Sequence, residues 1–296
     1  MKEMNDKIAS GAIVALVTPF AAGGGSVDRD AWLQLLEWHA AAGTAAVVVA
    51  GTTGEAATLE ADERDWLLQS AVETVSGRCA VIAGTGSAST ATAIELGRRA
   101  ATRGADAVLV ATPYYNRPPQ RGLLAHYRAI ADDCDVPVIL YNVPSRTGVD
   151  IEPETALALA GHPNIVAIKE AVADMDRIRR YAQGGLAVVS GDDPSALEAM
   201  QNGAVGVISV ASNVAPALMA RMCRHAAAGD FGAAAEINSR LEPLYRFLAL
   251  ESNPIPAKWL LSAAGRAGPD LRLPLVELDE THHAGGRRLL ESLATE

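Results

Sequence analysis

The sequence predicts an α/β fold, a (β/α)8 TIM barrel carrying a C-terminal helical extension. Three observations predict it. Apolar runs of β type alternate eight times with helix-like segments. Most of those runs are continuously apolar, the pattern of parallel strands buried on both faces. Glycines stand just past the helix-like segments, where a left-handed residue ends a helix. Eight such units in succession imply a closed parallel barrel.

The strands are expected at Ala12–Val17, Ala45–Ala50, Ala80–Ala83, Ala107–Ala111, Val136–Tyr141, Ile165–Lys169, Ala187–Ser190 and Val205–Val210. Between the first two, Asp28 is placed to cap a helix whose Trp32, Leu35, Leu36 and His39 share one face, and Gly43 follows its end. Helices are expected near 62–76, 91–103, 121–133, 153–160, 174–183, 194–202 and 215–228, with Gly77, Gly104, Gly161, Gly184, Gly203 and Gly229 as their left-handed ends. Beyond them Phe231–Leu248, Ile255–Ala264 and Gly285–Leu293 have helical periodicity. No low-complexity linker interrupts the chain, so residues 1–228 read as the catalytic barrel and 229–296 as an extension packed on it. An open doubly wound sheet would also use βα repeats. It would carry a Gly-x-Gly-x-x-Gly turn after its first strand, where this chain has Val17-Thr18-Pro19-Phe20.

Composition narrows the function. Hydrophobic residues are 49% of the 296 but aromatics only 4%, so the core is built of small and aliphatic side chains suited to buried strands and close-packed helices. The net charge of −10, with no basic stripe, disfavours a nucleic-acid partner. No apolar run approaches the roughly 18 residues that span a bilayer, which disfavours a membrane partner. Met1–Ser10 is polar and of mixed charge, unlike a signal peptide. Cys79, Cys134 and Cys223 are far apart and odd in number, and read as buried or free thiols of a cytoplasmic protein. The six histidines show no metal-ligand spacing; His282 and His283 lie on a polar, surface segment.

The site of such a barrel lies at the C-terminal strand ends. One residue there is unusual. Of four lysines, Lys2, Lys7, Lys169 and Lys258, only Lys169 ends an apolar strand. Desolvating an ammonium is costly, so burial favours the neutral amine, the form that attacks a carbonyl to give a Schiff base. The alternative is a structural ion pair with Glu170. The turn Gly51-Thr52-Thr53-Gly54-Glu55 offers hydroxyls and backbone N–H groups to a small anion, or is a plain hydroxyl-capped turn. Tyr115 and Tyr141 stand at or beyond strand ends, where phenols can relay protons or serve as core aromatics. Arg146 could hold a carboxylate in a bidentate pair or be a solvated loop charge. Asp192-Asp193-Pro194 looks like a carboxylate-capped helix start.

With these residues on the page, the sequence resembles the dihydrodipicolinate synthase family of class I aldolases. The resemblance rests on Gly11–Pro19, Gly51–Glu55, Thr112–Pro118, Tyr141–Gly148, Ile168-Lys169-Glu170, Ser190–Asp193, Gly206–Val210 and Asn253-Pro254-Ile255-Pro256, in that order over nearly the whole chain. It implies that Lys169 forms an imine with pyruvate. It implies a proton relay of Thr52, Tyr141 and Tyr115, the last reaching into a neighbouring subunit's site. Thr52 and Thr53 would hold the pyruvate carboxylate, and Arg146 the carboxylate of L-aspartate 4-semialdehyde. The carbonyls of Gly191 and Ile208 would lie close by. The reaction needs no cofactor and no metal, and the family's usual assembly is a homotetramer, a dimer of dimers. N-acetylneuraminate lyases and keto-deoxy sugar acid aldolases are similar; the former typically carry Ser at the place of Thr52 and lack an Arg at that of Arg146. A non-catalytic keto-acid-binding paralogue is the remaining alternative. Lysine-inhibited relatives bind lysine through His, Asn and Glu side chains where this chain has Ala61, Arg64, Ala88 and Thr92, beside a retained Tyr114, which predicts weak or absent lysine inhibition.

Overall fold

The computed structural model describes residues 8–294. Met1–Lys7, most of the segment read above as polar and unlike a leader, lie outside the described residues.

Eight parallel strands close a barrel in sequence order: β1 (Gly11–Ala15), β2 (Ala46–Val49), β3 (Ala80–Gly84), β4 (Ala107–Ala111), β5 (Val138–Asn142), β6 (Ile165–Glu170), β7 (Ala187–Ser190) and β8 (Gly206–Ser209), with β8 pairing back onto β1. The helices that return the chain are α1 (Arg29–Ala42), α2 (Ala61–Val75), α3 (Thr90–Thr102), α4 (Gln120–Asp133), a single turn α5 (Pro144–Thr147) with α6 (Pro153–Ala160), α7 (Met175–Gln183), α8 (Ala196–Gln201) and α9 (Pro216–Ala227). The predicted fold class is the observed one, and most boundaries agree within a residue or two.

Continuous apolar strands are needed because each strand feeds two cores. Ile13 and Ala15, Ala46 and Val48, Ala107 and Leu109, Ile139 and Tyr141, Ala167, Val189 and Ile208 belong to one buried cluster inside the barrel. The alternate residues, such as Val14, Val47, Val108, Leu140, Ile168 and Val207, join the larger cluster under the helices. The period of two decides which strand-end side chains enter the site.

Local chemistry sets the helix ends. The Asp28 carboxylate accepts the amide of Ala31 and caps α1, which buries Trp32, Leu35, Leu36 and His39 as expected. Gly43 ends it in a left-handed conformation, φ 81°. Gly161 and Gly184 depart from the prediction, with φ −70° and −80°. Gly184 instead makes room, since a Cβ there would lie 2.3 Å from Leu157 Cδ2, and the left-handed residue is its neighbour Gly185.

Three more helices follow, α10 (Phe231–Leu248), α11 (Ile255–Ala263) and α12 (His283–Ala294). α10 packs on α9 and α8, and α12 on α10 and α11. His283 is not a plain surface residue: its ring stacks on Trp259 with centroids 4.6 Å apart, and Nε2 lies 3.1 Å from the Leu278 carbonyl. Cys79, Cys134 and Cys223 are free thiols. Among the described residues no helix is long and apolar enough to cross a membrane.

Candidate active site

Two neighbouring strands bring Lys169 and Tyr141 together. The β5–β6 register sets Tyr141 opposite Lys169 and Asn142 opposite Glu170. Tyr141 points into the barrel with Ile139, and its register partner Lys169 shares that face with Ala167. The Lys169 ammonium nitrogen lies 4.2 Å from the centroid of the Tyr141 ring, and the residue is 5% exposed. Gly191, after β7, closes over it; a Cβ there would come within 2.9 Å of Lys169 Cε, so no side chain fits beside the lysine stem. Ile208 of β8 is buried in the same interior cluster.

The ion pair with Glu170 is not formed. Period two turns Glu170 to the outer face of β6. There its carboxylate accepts both the Asn142 amide, at 3.0 and 3.1 Å, and the Val172 N–H at 2.9 Å, and lies 3.4 Å from Arg177. Burial pushes the Glu170 carboxyl up from its ordinary value, against the pull of these donors. Arg177 also grips Asp150, and Asn142 Oδ1 accepts the Ile151 N–H. This buried cluster pins the loop after β5 behind the site. Lys169 itself joins no ion pair among the described residues; its nitrogen sits over the neutral Tyr141 ring.

The turn after β2 is fixed from both sides. The Thr18 hydroxyl donates to the Gly54 carbonyl at 2.7 Å, and the amides of Glu55 and Ala56 close on Thr52 and Gly51. The amides of Thr52 and Thr53 have no acceptor among the described residues, so two N–H groups remain for an anion. A one-turn 3-10 helix, Ala56–Thr58, lies between this turn and α2, which starts at Ala61, close to the expected position. Thr52 is exposed, whereas Thr53 is buried and its hydroxyl oxygen accepts from Asn253 Nδ2 at 2.9 Å. The Glu55 carboxylate meets Lys258 at 2.7 Å, and its second oxygen accepts the Arg272 N–H at 3.1 Å. Lys258 is 1% exposed on α11, with Nζ over the Phe20 ring at 4.3 Å, and burial holds its pKa below the ordinary lysine value.

The other predicted residues are spread along the rim. Arg146 is exposed on α5, the turn that follows Tyr141. Tyr115 is 94% exposed with φ 70°, and Tyr114 is 47% exposed. The single chain therefore does not pack Tyr115 into its own core. Asp192 and Asp193 divide their work: Asp192 accepts from the Ser195 amide and hydroxyl, whereas Asp193 reaches across to the amides of Val210 and Ala211 beyond β8. Asp193 is thus a tie between strand ends and not the cap expected of it. Among the described residues no group of three or more His, Cys, Asp or Glu could hold a metal ion.

Sequence reasoning passed over Lys258, Asn253 and the cluster around Glu170. Lys258 had a visible signal, a lone cation inside the apolar run Ile255–Leu261, all of it buried. Asn253 stood in one of the motifs that carry the resemblance, but its partner could not be read from it, because the hydrogen bond spans 200 residues.

Residues 8–293 match the model of the dihydrodipicolinate synthetase family. The 4-hydroxy-tetrahydrodipicolinate synthase of Stenotrophomonas maltophilia is 51% identical over 288 residues, 96% of each chain. That of Acidithiobacillus ferrooxidans is 52% identical over 286 residues, 96% of this chain and 97% of the other. A crystal structure of the chloride-inhibited dihydrodipicolinate synthase from Acinetobacter baumannii, complexed with pyruvate, superposes with a TM-score of 0.94 at 44% identity, covering 97% of this chain and 100% of that one. The chain belongs to the dihydrodipicolinate synthetase family.

Proposed function

We propose that the chain, as a member of this family, condenses pyruvate with L-aspartate 4-semialdehyde to give 4-hydroxy-tetrahydrodipicolinate. The observation that carries the reading is Lys169, buried at the mouth of the barrel, beside Tyr141 and without a carboxylate partner among the described residues. The Lys169 amine attacks the keto carbon of pyruvate and water leaves, giving a protonated imine. That imine withdraws electrons, so a methyl proton departs and an enamine forms. The enamine carbon bonds to the aldehyde carbon of the second substrate, whose oxygen takes up a proton. The substrate's own amine then attacks the imine carbon. The ring closes, the bond to Lys169 breaks, and the free amine is restored.

Thr52, Tyr141 and Tyr115 relay the protons, Tyr115 from a neighbouring subunit; its 94% exposure in one chain supports that assignment. The free amides of the turn after β2, with Thr52 and Thr53, hold the pyruvate carboxylate. Arg146 holds the carboxylate of the semialdehyde, and the carbonyls of Gly191 and Ile208 border the site. A cytoplasmic homotetramer built as a dimer of dimers, a catalytic barrel over 1–228 with its extension over 229–296, chemistry without metal or cofactor, and weak lysine inhibition all belong to the same proposal.

Assay of the purified protein with pyruvate and aspartate semialdehyde, against cleavage of N-acetylneuraminate, tests the substrate class. Turnover of the first pair alone is expected. Efficient cleavage of the sugar acid, or turnover of neither, would overturn the reading.

A further inference from the structure

The C-terminal extension touches the candidate site at one polar contact that the mechanism above does not use. Asn253 lies in the connection between α10 and α11, and its Nδ2 donates to Thr53 Oγ1 at 2.9 Å. Thr53 is 2% exposed, and no other hydrogen bond of its hydroxyl is formed among the described residues. Asn253 Oδ1 is buried and has no hydrogen-bond partner among the described residues. Two further residues of the extension, Lys258 and Arg272, grip Glu55 two positions on, so the connection is held rigidly against this turn.

A hydroxyl has one proton and two lone pairs. With Asn253 donating into a lone pair, the Thr53 proton has no acceptor among the described residues. A carboxylate is acceptor-only, so Thr53 can bind one solely as a donor. The chain Asn253 N–H to Thr53 O–H to carboxylate has every dipole aligned, and each bond strengthens the next. We propose that Asn253 is a positioning residue for pyruvate: by donating to Thr53 it turns that hydroxyl's proton toward the substrate carboxylate. The proposal rests on the reading of Thr53 as a carboxylate ligand.

Such a residue acts on one substrate and only through Thr53. Steady-state kinetics of the full-length enzyme in both substrates, on Asn253→Ala, Thr53→Val and the double variant, tests it. Asn253→Ala is expected to raise the pyruvate KM about tenfold, the scale of a hydrogen bond to a charged group, with the semialdehyde KM unchanged. Thr53→Val is expected to raise it as much or more. In the Thr53→Val background, Asn253→Ala should add nothing. Asn253→Asp presents an acceptor in place of the donor and should raise the pyruvate KM at least as far as Ala. Should Asn253→Ala lower the melting temperature sharply, Asn253→Ser, too short to span to Thr53, serves in its place.

Additive effects in the double variant, a wild-type KM in Asn253→Ala, or a wild-type KM in Asn253→Asp would each overturn the proposal while leaving the role of Thr53 intact. A wild-type pyruvate KM in Thr53→Val would instead remove the carboxylate reading itself, and this inference with it.

Discussion

Among the described residues two lysines are almost wholly buried, and they are buried differently. Lys258 is 1% exposed and meets Glu55 at 2.7 Å; Lys169 is 5% exposed and has the Tyr141 ring under its nitrogen but no ion-pair partner among the described residues. Both ammonium groups sit over rings at similar distance, 4.3 and 4.2 Å, so the ring does not distinguish them. The carboxylate does. A buried amine beside a carboxylate is held in an ion pair that ties α11 to the turn after β2. A buried amine without one is left to react with whatever carbonyl enters. The inner face of β6 provides the second environment because the adjoining carboxylate, Glu170, follows Lys169 directly and so points the other way.

Removing the two lysines should therefore damage different properties. Lys169→Ala is expected to abolish turnover, by about four orders of magnitude or more, as loss of a covalent nucleophile does, while the unfolding midpoint stays near that of the parent. A residual rate within tenfold of the parent would break the comparison.

Lys258→Met should act on the fold. It leaves Glu55 charged and unpaired in the core, a cost of about 3–5 kcal/mol by denaturant unfolding. Adding Glu55→Gln should recover a large part of that loss, because the stranded charge is gone. If the double variant is no more stable than the single one, the pair is not what sets the stability of this junction.

Arg146→Ala sharpens the comparison at the substrate side, since Arg146 is exposed and free to pair with a ligand. The expected result is a loss of roughly 100-fold in kcat/KM for the semialdehyde, near 3 kcal/mol for a bidentate charged contact. The pyruvate KM should be little changed. Equal losses for both substrates would count against the assignment.

A third buried base tests the same rule with no carboxylate and no chemistry. Burial, reinforced by the charge of Arg266, holds the His39 imidazole down at about 3. The unfolded chain takes up a proton near pH 6.5 that the native state refuses until about 3. Stability from this residue is thus complete above 6.5 and is lost as pH falls through that window. The slope it contributes is about 1.4 kcal/mol per pH unit at most. Urea unfolding at pH 7 and pH 5 should show a smaller difference for His39→Gln than for the parent; an identical difference would remove His39 from the account.

How much of this was legible in the sequence depends on the range of the interaction. The eight strands and their helices announce themselves through local periodicity, and Lys169 through the contrast between one cation and the four apolar residues before it. The side on which Glu170 falls follows from strand alternation and could have been read too, since consecutive residues cannot share a face. Lys258 lies on a helix of the extension, away from the strand ends where a barrel keeps its chemistry, though its run of apolar neighbours marks it as buried. The contacts of Asn253 and Arg272 were beyond reach, although Asn253 stood in a quoted motif: their partners are Thr53 and Glu55, about 200 residues away, and only the folded chain brings them together. Tyr115 was picked out by its place beyond a strand end and by its motif, yet one chain leaves its ring in solvent, so its packing within the chain gives no reason for it.

The central claim is that of the two buried amines only the unpaired one reacts. Reduction with borohydride in the presence of pyruvate, followed by mass spectrometry and peptide mapping, measures this directly. The account predicts one reduced pyruvate adduct per chain, on the peptide containing Lys169 and absent from those containing Lys258, Lys2 and Lys7. An adduct on Lys258, or no adduct at saturating pyruvate, would contradict it.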